Sequence, residues 1–209
     1  MPRKWLNSSI DAALIAVLGG VILYVARQQT PAGTLRLSKS DWRALTNDRT
    51  AISGSDGSVV VVEFVDYQCP VCAQVEHLFS RLHQEFPDKI RRLVRHFPIE
   101  SIHPQAMVSA KAVECARRQG TMKEMHDLLL ANQAAMGSIA FDTLARTVGI
   151  DTTAFSACLR AAADPQVERD VELGRSIGIS GTPTVIVDGL LMTSFSPSLL
   201  MSLLKARLE

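Results

Sequence analysis

An α/β domain, with a mixed sheet, helices on both of its faces and a helical block inserted in mid-chain, is the fold class the sequence predicts, preceded by an N-terminal transmembrane anchor. Three observations predict the domain. Val59 to Phe64 (VVVVEF) is a nearly continuous β-branched run, as expected of a strand buried on both faces. Asp188-Gly189, a hairpin signal, separates two apolar runs near the C-terminal end. Between these lies a long stretch of helical patterning, so the order is strand, helix, strand, helical block, hairpin, helix. The 209 residues suit one domain plus an appendage, and 47% hydrophobic with 21% charged residues excludes a disordered, collagen-like or coiled-coil chain. A net charge of +1 supplies no field to hold a phosphate backbone, so no nucleic-acid partner is expected.

The elements follow in chain order. Arg3 and Lys4 precede an apolar run from Ala12 to Ala26 that Arg27 closes. The bulky Tyr24 stands where a signal-peptide cut after Ala26 needs a small residue, so residues 1–27 read as an uncleaved signal anchor. Arg3 and Lys4 stay inside and everything after residue 27 is exported, a single-pass arrangement in the cytoplasmic membrane with the domain facing the periplasm or cell exterior. Residues 28–57 read as linker and domain edge: a tether over Gln28 to Leu37, a short capped helix over Ser40 to Leu45, and a turn at 54–57. Residues 58–208 form the domain. Its second strand is Arg92 to Phe97, and a helix from Pro70 to Phe86 lies between the first two strands. Helices near Gln105 to Arg118, Met122 to Asn132, Phe141 to Thr147, Thr153 to Ala162 and Gln166 to Ser176 fill an insertion over about 103–177. Strands Thr184 to Val187 and Leu190 to Thr193 then flank the hairpin turn, and Pro197 to Leu208 closes as an amphipathic helix. The thirty or so residues between anchor and domain are too few for a dimerisation domain, so a monomeric catalytic unit is expected.

Cys69-Pro70-Val71-Cys72 stands at the first strand-to-helix junction. EFVDYQCPVC at 63–72, VECARRQGTMKEMHDLLLANQ at 113–133 and GTPTVIVDG at 181–189 together resemble the DsbA-like branch of the thioredoxin superfamily, over about residues 58–208. The resemblance implies a thioredoxin-like sheet, thiol:disulfide exchange, a cis peptide at Thr182-Pro183 packed against the cysteine pair, and an acid at the position of Glu63. It also implies unfolded or partly folded exported proteins as substrates and a quinone-linked membrane protein as redox partner, with no cofactor beyond the redox-active disulfide.

The residues carry this chemistry on physical grounds. A thiol reacts as its thiolate, and the unpaired N–H groups and positive dipole end of a helix favour the anion at Cys69, the attacking sulfur. Pro70 suits the first helical turn, where its missing donor costs nothing. Cys72, one turn inward, is the resolving thiol. A zinc half-site needs a second ligand pair that Cys115 and Cys158, single cysteines without nearby histidines, do not supply, so no metal is expected. Glu63 sits in an apolar strand, where burial raises its pKa and makes it a proton acceptor for Cys72; an edge-facing carboxylate in water is the alternative. Pro70, Val71, Tyr67 and Thr182 are the candidate substrate contacts, Thr182 through its backbone. Asp66 is a weaker one, since turn chemistry alone explains it. In an oxidising compartment two buried thiols near one another bridge, which pairs Cys115 with Cys158 as a structural disulfide; this is one of three connectivities, and two free core thiols are the alternative. His103 and His126 read as structural. A net oxidant is the expected direction, moderated because Val71 stands where the best-known oxidant of the resembled family has His. A reductase or isomerase, and a redox-inert chaperone, remain as rival readings.

Overall fold

The computed structural model describes residue 17 and residues 30–47, 51–54 and 59–208. The anchor read over residues 1–27 lies outside them but for Val17, and among the described residues no helix is long and apolar enough to cross a membrane. Residues 33–209 form one compact unit.

The unit is built on a five-stranded sheet of β1 (Thr34–Arg36), β2 (Val59–Val65), β3 (Ile90–His96), β4 (Thr184–Val187) and β5 (Leu190–Met192), in the order β1-β5-β4-β2-β3. Only β2 and β3 run parallel; the other pairs are antiparallel. The crossover between β2 and β3 is α2 (Pro70–Glu85), while α1 (Lys39–Thr46) precedes β2. The insertion consists of α3 (Ala106–Arg117), α4 (Met122–Ala131), α5 (Phe141–Thr147), α6 (Thr152–Leu159) and α7 (Pro165–Ser176), with a 3₁₀ turn at Gln133–Ala135. Helix α8 (Pro197–Leu208) closes the chain.

Strand β2 is buried throughout except at Val60, because helices cover both of its faces. Val59 and Val61 pack with Val75, Phe79 and Leu82 of α2 and Leu200 and Leu204 of α8. Val62 and Phe64 face the other way, toward Leu45, Leu93, Phe97 and Ile186. Alternation places Glu63 on the α2 side of the sheet with Val61. The insertion has a core of its own around Val113, Met125, Leu129 and Phe155, and Tyr67, Cys69 and Cys72 belong to that core. The β4–β5 turn has positive φ at both Asp188 (46°) and Gly189 (77°), the conformation of a two-residue hairpin loop. Asp188 Oδ1 also accepts the Val60 N–H at 2.9 Å, tying the turn to β2.

Some helix starts are fixed by capping side chains. Ser38 accepts from the Asp41 N–H ahead of α1, and Asp164 accepts from Gln166 and Val167 ahead of α7, where Pro165 takes the first position. One segment departs from the sequence reading. Thr34–Arg36, placed in the tether, adds to the edge of the sheet against β5, because Leu190–Met192 exposes an edge that three extended residues pair with.

Candidate active site

Cys69 is the N-cap of α2, with extended backbone at φ −74° and ψ 117°, and Pro70 follows at the first helical position. No side chain caps this helix, so its first N–H groups are left to the cysteine sulfur. The turn leading to it closes through the Cys69 N–H on the Asp66 carbonyl at 3.1 Å, and the Cys72 N–H donates to the Cys69 carbonyl at 3.0 Å. Both cysteines are free thiols: Cys69 is 7% exposed and Cys72 wholly buried. The Cys69 thiol contacts the Thr182 carbonyl at 3.4 Å, and the Thr182–Pro183 peptide is cis.

The two sulfurs titrate far apart. Hydrogen bonding from the Cys72 thiol, aided by the backbone N–H groups of Cys72 and Val71, lowers Cys69 to about 5 against the cost of burial. The same contact, with burial and the charge of Glu63, drives Cys72 far above the ordinary thiol range. Cys69 is therefore the thiolate and Cys72 the protonated partner.

Glu63 is fully buried, not an edge carboxylate in water, and burial raises its pKa although Arg92 opposes this. Its Oε2 accepts from Arg92 Nη2 at 2.6 Å and Nε at 3.2 Å, while Oε1 is buried without a hydrogen-bond partner among the described residues. Arg92 forks through Nη1 to Glu76 Oε2 at 2.7 Å, and the same oxygen meets His126 Nε2 at 3.0 Å. Burial works against the Glu76 anion, yet Arg92 and His126 hold its carboxyl far below the usual range. Glu76, His126 and Asp127 offer ligand atoms within 4.8 Å of one another. Glu76 is already paired with Arg92, and Asp127 with Lys123.

Tyr67, read as a substrate contact, is a core residue: it is wholly buried and its hydroxyl lies 3.1 Å from His126 Nδ1. The physical reason is the insertion, which closes over the loop before Cys69 and removes that ring from solvent. Asp66 is likewise internal, accepting the N–H groups of Gln68 and Ile99 at 2.8 Å and contacting His103 Nδ1 at 2.8 Å, so it ties together two loops. Pro70, Val71, Thr182 and Pro183 do reach the surface. Val71, Thr182 and Pro183 line a groove of about 600 Å³ with Leu35, Ile177–Thr184 and Leu191–Phe195. No charged side chain is among the described residues that line it. Cys115 and Cys158 are bridged, joining α3 to α6 across the insertion.

Sequence reasoning missed Arg92, Glu76, His126 as a member of the site, and Gln133. Arg92 gave a signal: a cation in an apolar strand beside the strand that carries Glu63.

A thioredoxin family model matches residues 46–206. A thioredoxin-like oxidoreductase from Silicibacter pomeroyi DSS-3 superimposes with TM-score 0.65 at 27% identity, over 78% of this chain and 95% of that one. The thiol-disulfide exchange protein alpha-DsbA2 from Wolbachia pipientis gives 0.68 at 20% identity, over 80% and 91% of the two chains. BdbD from Bacillus subtilis gives 0.68 at 19% identity, over 86% and 99%, and these last two likenesses concern the fold. Among curated sequences, the Na(+)/H(+) antiporter NhaA 3 of Salinispora tropica is 35% identical over 145 residues, 68% of this chain. The chain spans only 22% of that antiporter's length. With a Cys69 thiolate at a helix N-terminus, a buried Cys72 thiol one turn inward and the Thr182 carbonyl against the Cys69 sulfur, the chain belongs to the thioredoxin family.

Proposed function

We propose that the chain is an extracytoplasmic oxidant that passes a Cys69–Cys72 disulfide to cysteines of unfolded or partly folded exported proteins. In the oxidised enzyme a substrate thiolate attacks Cys69 Sγ; a sulfur–sulfur bond forms to the substrate, the Cys69–Cys72 bond breaks, and Cys72 leaves. Its high proton affinity draws a proton, and the buried Glu63, with Oε1 unengaged and its own pKa raised, is the group poised to deliver it. A second substrate thiolate then attacks the substrate sulfur of the mixed disulfide and expels Cys69 as a thiolate. The substrate is oxidised by two electrons and the cysteine pair reduced by two. One thiol proton ends on Cys72 and the other in solvent.

The observation that carries the direction is the stabilised Cys69 anion. Whatever stabilises the reduced pair makes its disulfide a stronger oxidant, and a thiol lowered to about 5 is far below an unperturbed cysteine. The groove supports the substrate class: backbone at Thr182 and an uncharged lining suit an extended, apolar stretch of unfolded chain. Equilibration against glutathione is the test. A potential above the roughly −270 mV of thioredoxin is expected, and one at or below it, with the pair recovered reduced from cells, would make the enzyme a reductase.

The site of action follows from the N-terminal sequence. Arg3 and Lys4 ahead of the apolar run at 12–26 hold that end inside, place the domain on the far side of the cytoplasmic membrane, and put it within reach of a quinone-linked membrane partner that reoxidises it. A reporter fused after Glu209 should be active outside the cytoplasm; activity only inside would overturn this topology.

A further inference from the structure

The turn that presents Cys69 is held from outside. Gln133, in the 3₁₀ turn that follows α4, donates from its side-chain Nε2 to the Tyr67 carbonyl at 2.9 Å and to the Cys69 carbonyl at 2.9 Å. Two carbonyls at one amide end require that end to be the NH₂ group, and the two bonds use both of its hydrogens. The Cys69 carbonyl thus has two donors, Gln133 and the Cys72 N–H. That N–H is also one of the groups that stabilise the Cys69 sulfur anion. One donor therefore serves two acceptors on the same residue, the carbonyl oxygen and the sulfur. A buried carbonyl that loses one partner draws harder on the other. With Gln133 in place, the carbonyl is satisfied from the insertion, and the Cys72 N–H is left to share with the thiolate.

We propose that Gln133 is a positioning residue of the exchange reaction, whose side-chain amide holds the Tyr67 and Cys69 carbonyls and so keeps the helix N-terminus aimed at the Cys69 sulfur. The insertion is then more than a cover for the sheet: it sets the geometry of the nucleophile through one side chain. This rests on the assignment of Cys69 as the attacking sulfur and deepens it. The neighbouring tie runs the same way, since the Gln105 N–H donates to the Gln68 side-chain carbonyl within the same turn.

The test compares Gln133→Met, which keeps length and removes both donors, with Ala134→Gly, which loosens the same 3₁₀ turn without touching either carbonyl. The readout is the pH midpoint of Cys69 alkylation by iodoacetamide in the reduced full chain, with thermal unfolding recorded beside it. Gln133→Met should raise the midpoint by about one pH unit, the size of a lost hydrogen bond to an anion, and Ala134→Gly should leave it in place. An unchanged midpoint in Gln133→Met, or equal rises in both variants, overturns the proposal. Should Gln133→Met fail to fold, the wild-type protein still decides: both side-chain amide protons of Gln133 should exchange slowly in NMR, and exchange at the rate of a free amide overturns it. Failure of the wild-type protein to exchange disulfides at all would instead sink the oxidoreductase reading, which separates the two.

Discussion

At residue 69 the chemistry is that of a charge held where a helix begins. Replacing Cys69 by Ser should abolish exchange, whereas Cys72→Ser should accumulate mixed disulfides, visible on non-reducing gels, because the resolving sulfur is gone. If the Cys72 variant trapped no partner while Cys69→Ser stayed active, the roles would be exchanged. The pH dependence follows from the sign of the Cys69 shift. Its folded pKa, about 5, lies below the ordinary thiol value of 9.0 that the unfolded chain keeps, so the unfolded reduced chain binds more protons between these values. The reduced protein therefore gains stability relative to the oxidised one as pH rises from about 5 toward 9, and loses that advantage as pH falls through 5. Melting temperatures of the two forms measured at pH 5 and pH 8 should show the gap moving in that direction. Val71 occupies the exposed corner of the pair, 38% open to solvent, and its side chain supplies neither donor nor charge to the thiolate. Val71→His should raise the reduction potential; no movement would show that the helix terminus alone governs it.

Among the elements, the parallel β2–β3 pair does for Glu63 what sequence could not show. Register sets Glu63 beside Val94 and Val61 beside Arg92, so Arg92 comes from the next strand to meet an acid it is remote from in sequence. The acid was legible as a charge in an apolar run; its partner was not, since pairing depends on which strand neighbours which. The same holds for Tyr67, whose burial needs the insertion to fold back over it, and for Gln133, an unremarkable residue until a 3₁₀ turn brings it to the nucleophile's backbone. What was legible is local: the cysteine spacing, the G-T-P-T run, the Asp-Gly hairpin and most helix boundaries are written in adjacent residues. Arg92→Met should cost about 3 to 5 kcal/mol in denaturant unfolding, because it leaves Glu63 and Glu76 without their cation in a dry interior. The Cys115–Cys158 bridge ties α3 to α6 across 43 residues, and replacing both cysteines by Ala should lower stability by about 2 to 4 kcal/mol while leaving exchange intact. Unchanged unfolding would mean that the helices pack equally well without it.

For the molecule as a whole, the groove has a consequence for how fast partners arrive. The described residues that line it include no charged side chain, and the chain's net charge is +1, so neither the groove nor the protein as a whole projects a field far into solvent. Encounter with the proposed substrate, an apolar stretch of unfolded chain, would then proceed by unsteered diffusion. An electrostatically guided enzyme slows by orders of magnitude as salt shortens the Debye length from about 30 Å at 0.01 M to about 3 Å at 1 M. Here, stopped-flow oxidation of an uncharged cysteine peptide should keep nearly the same second-order rate across that range. In the extracytoplasmic setting proposed above, where the surroundings impose the ionic strength, the enzyme would work at the same pace in dilute and in salty water.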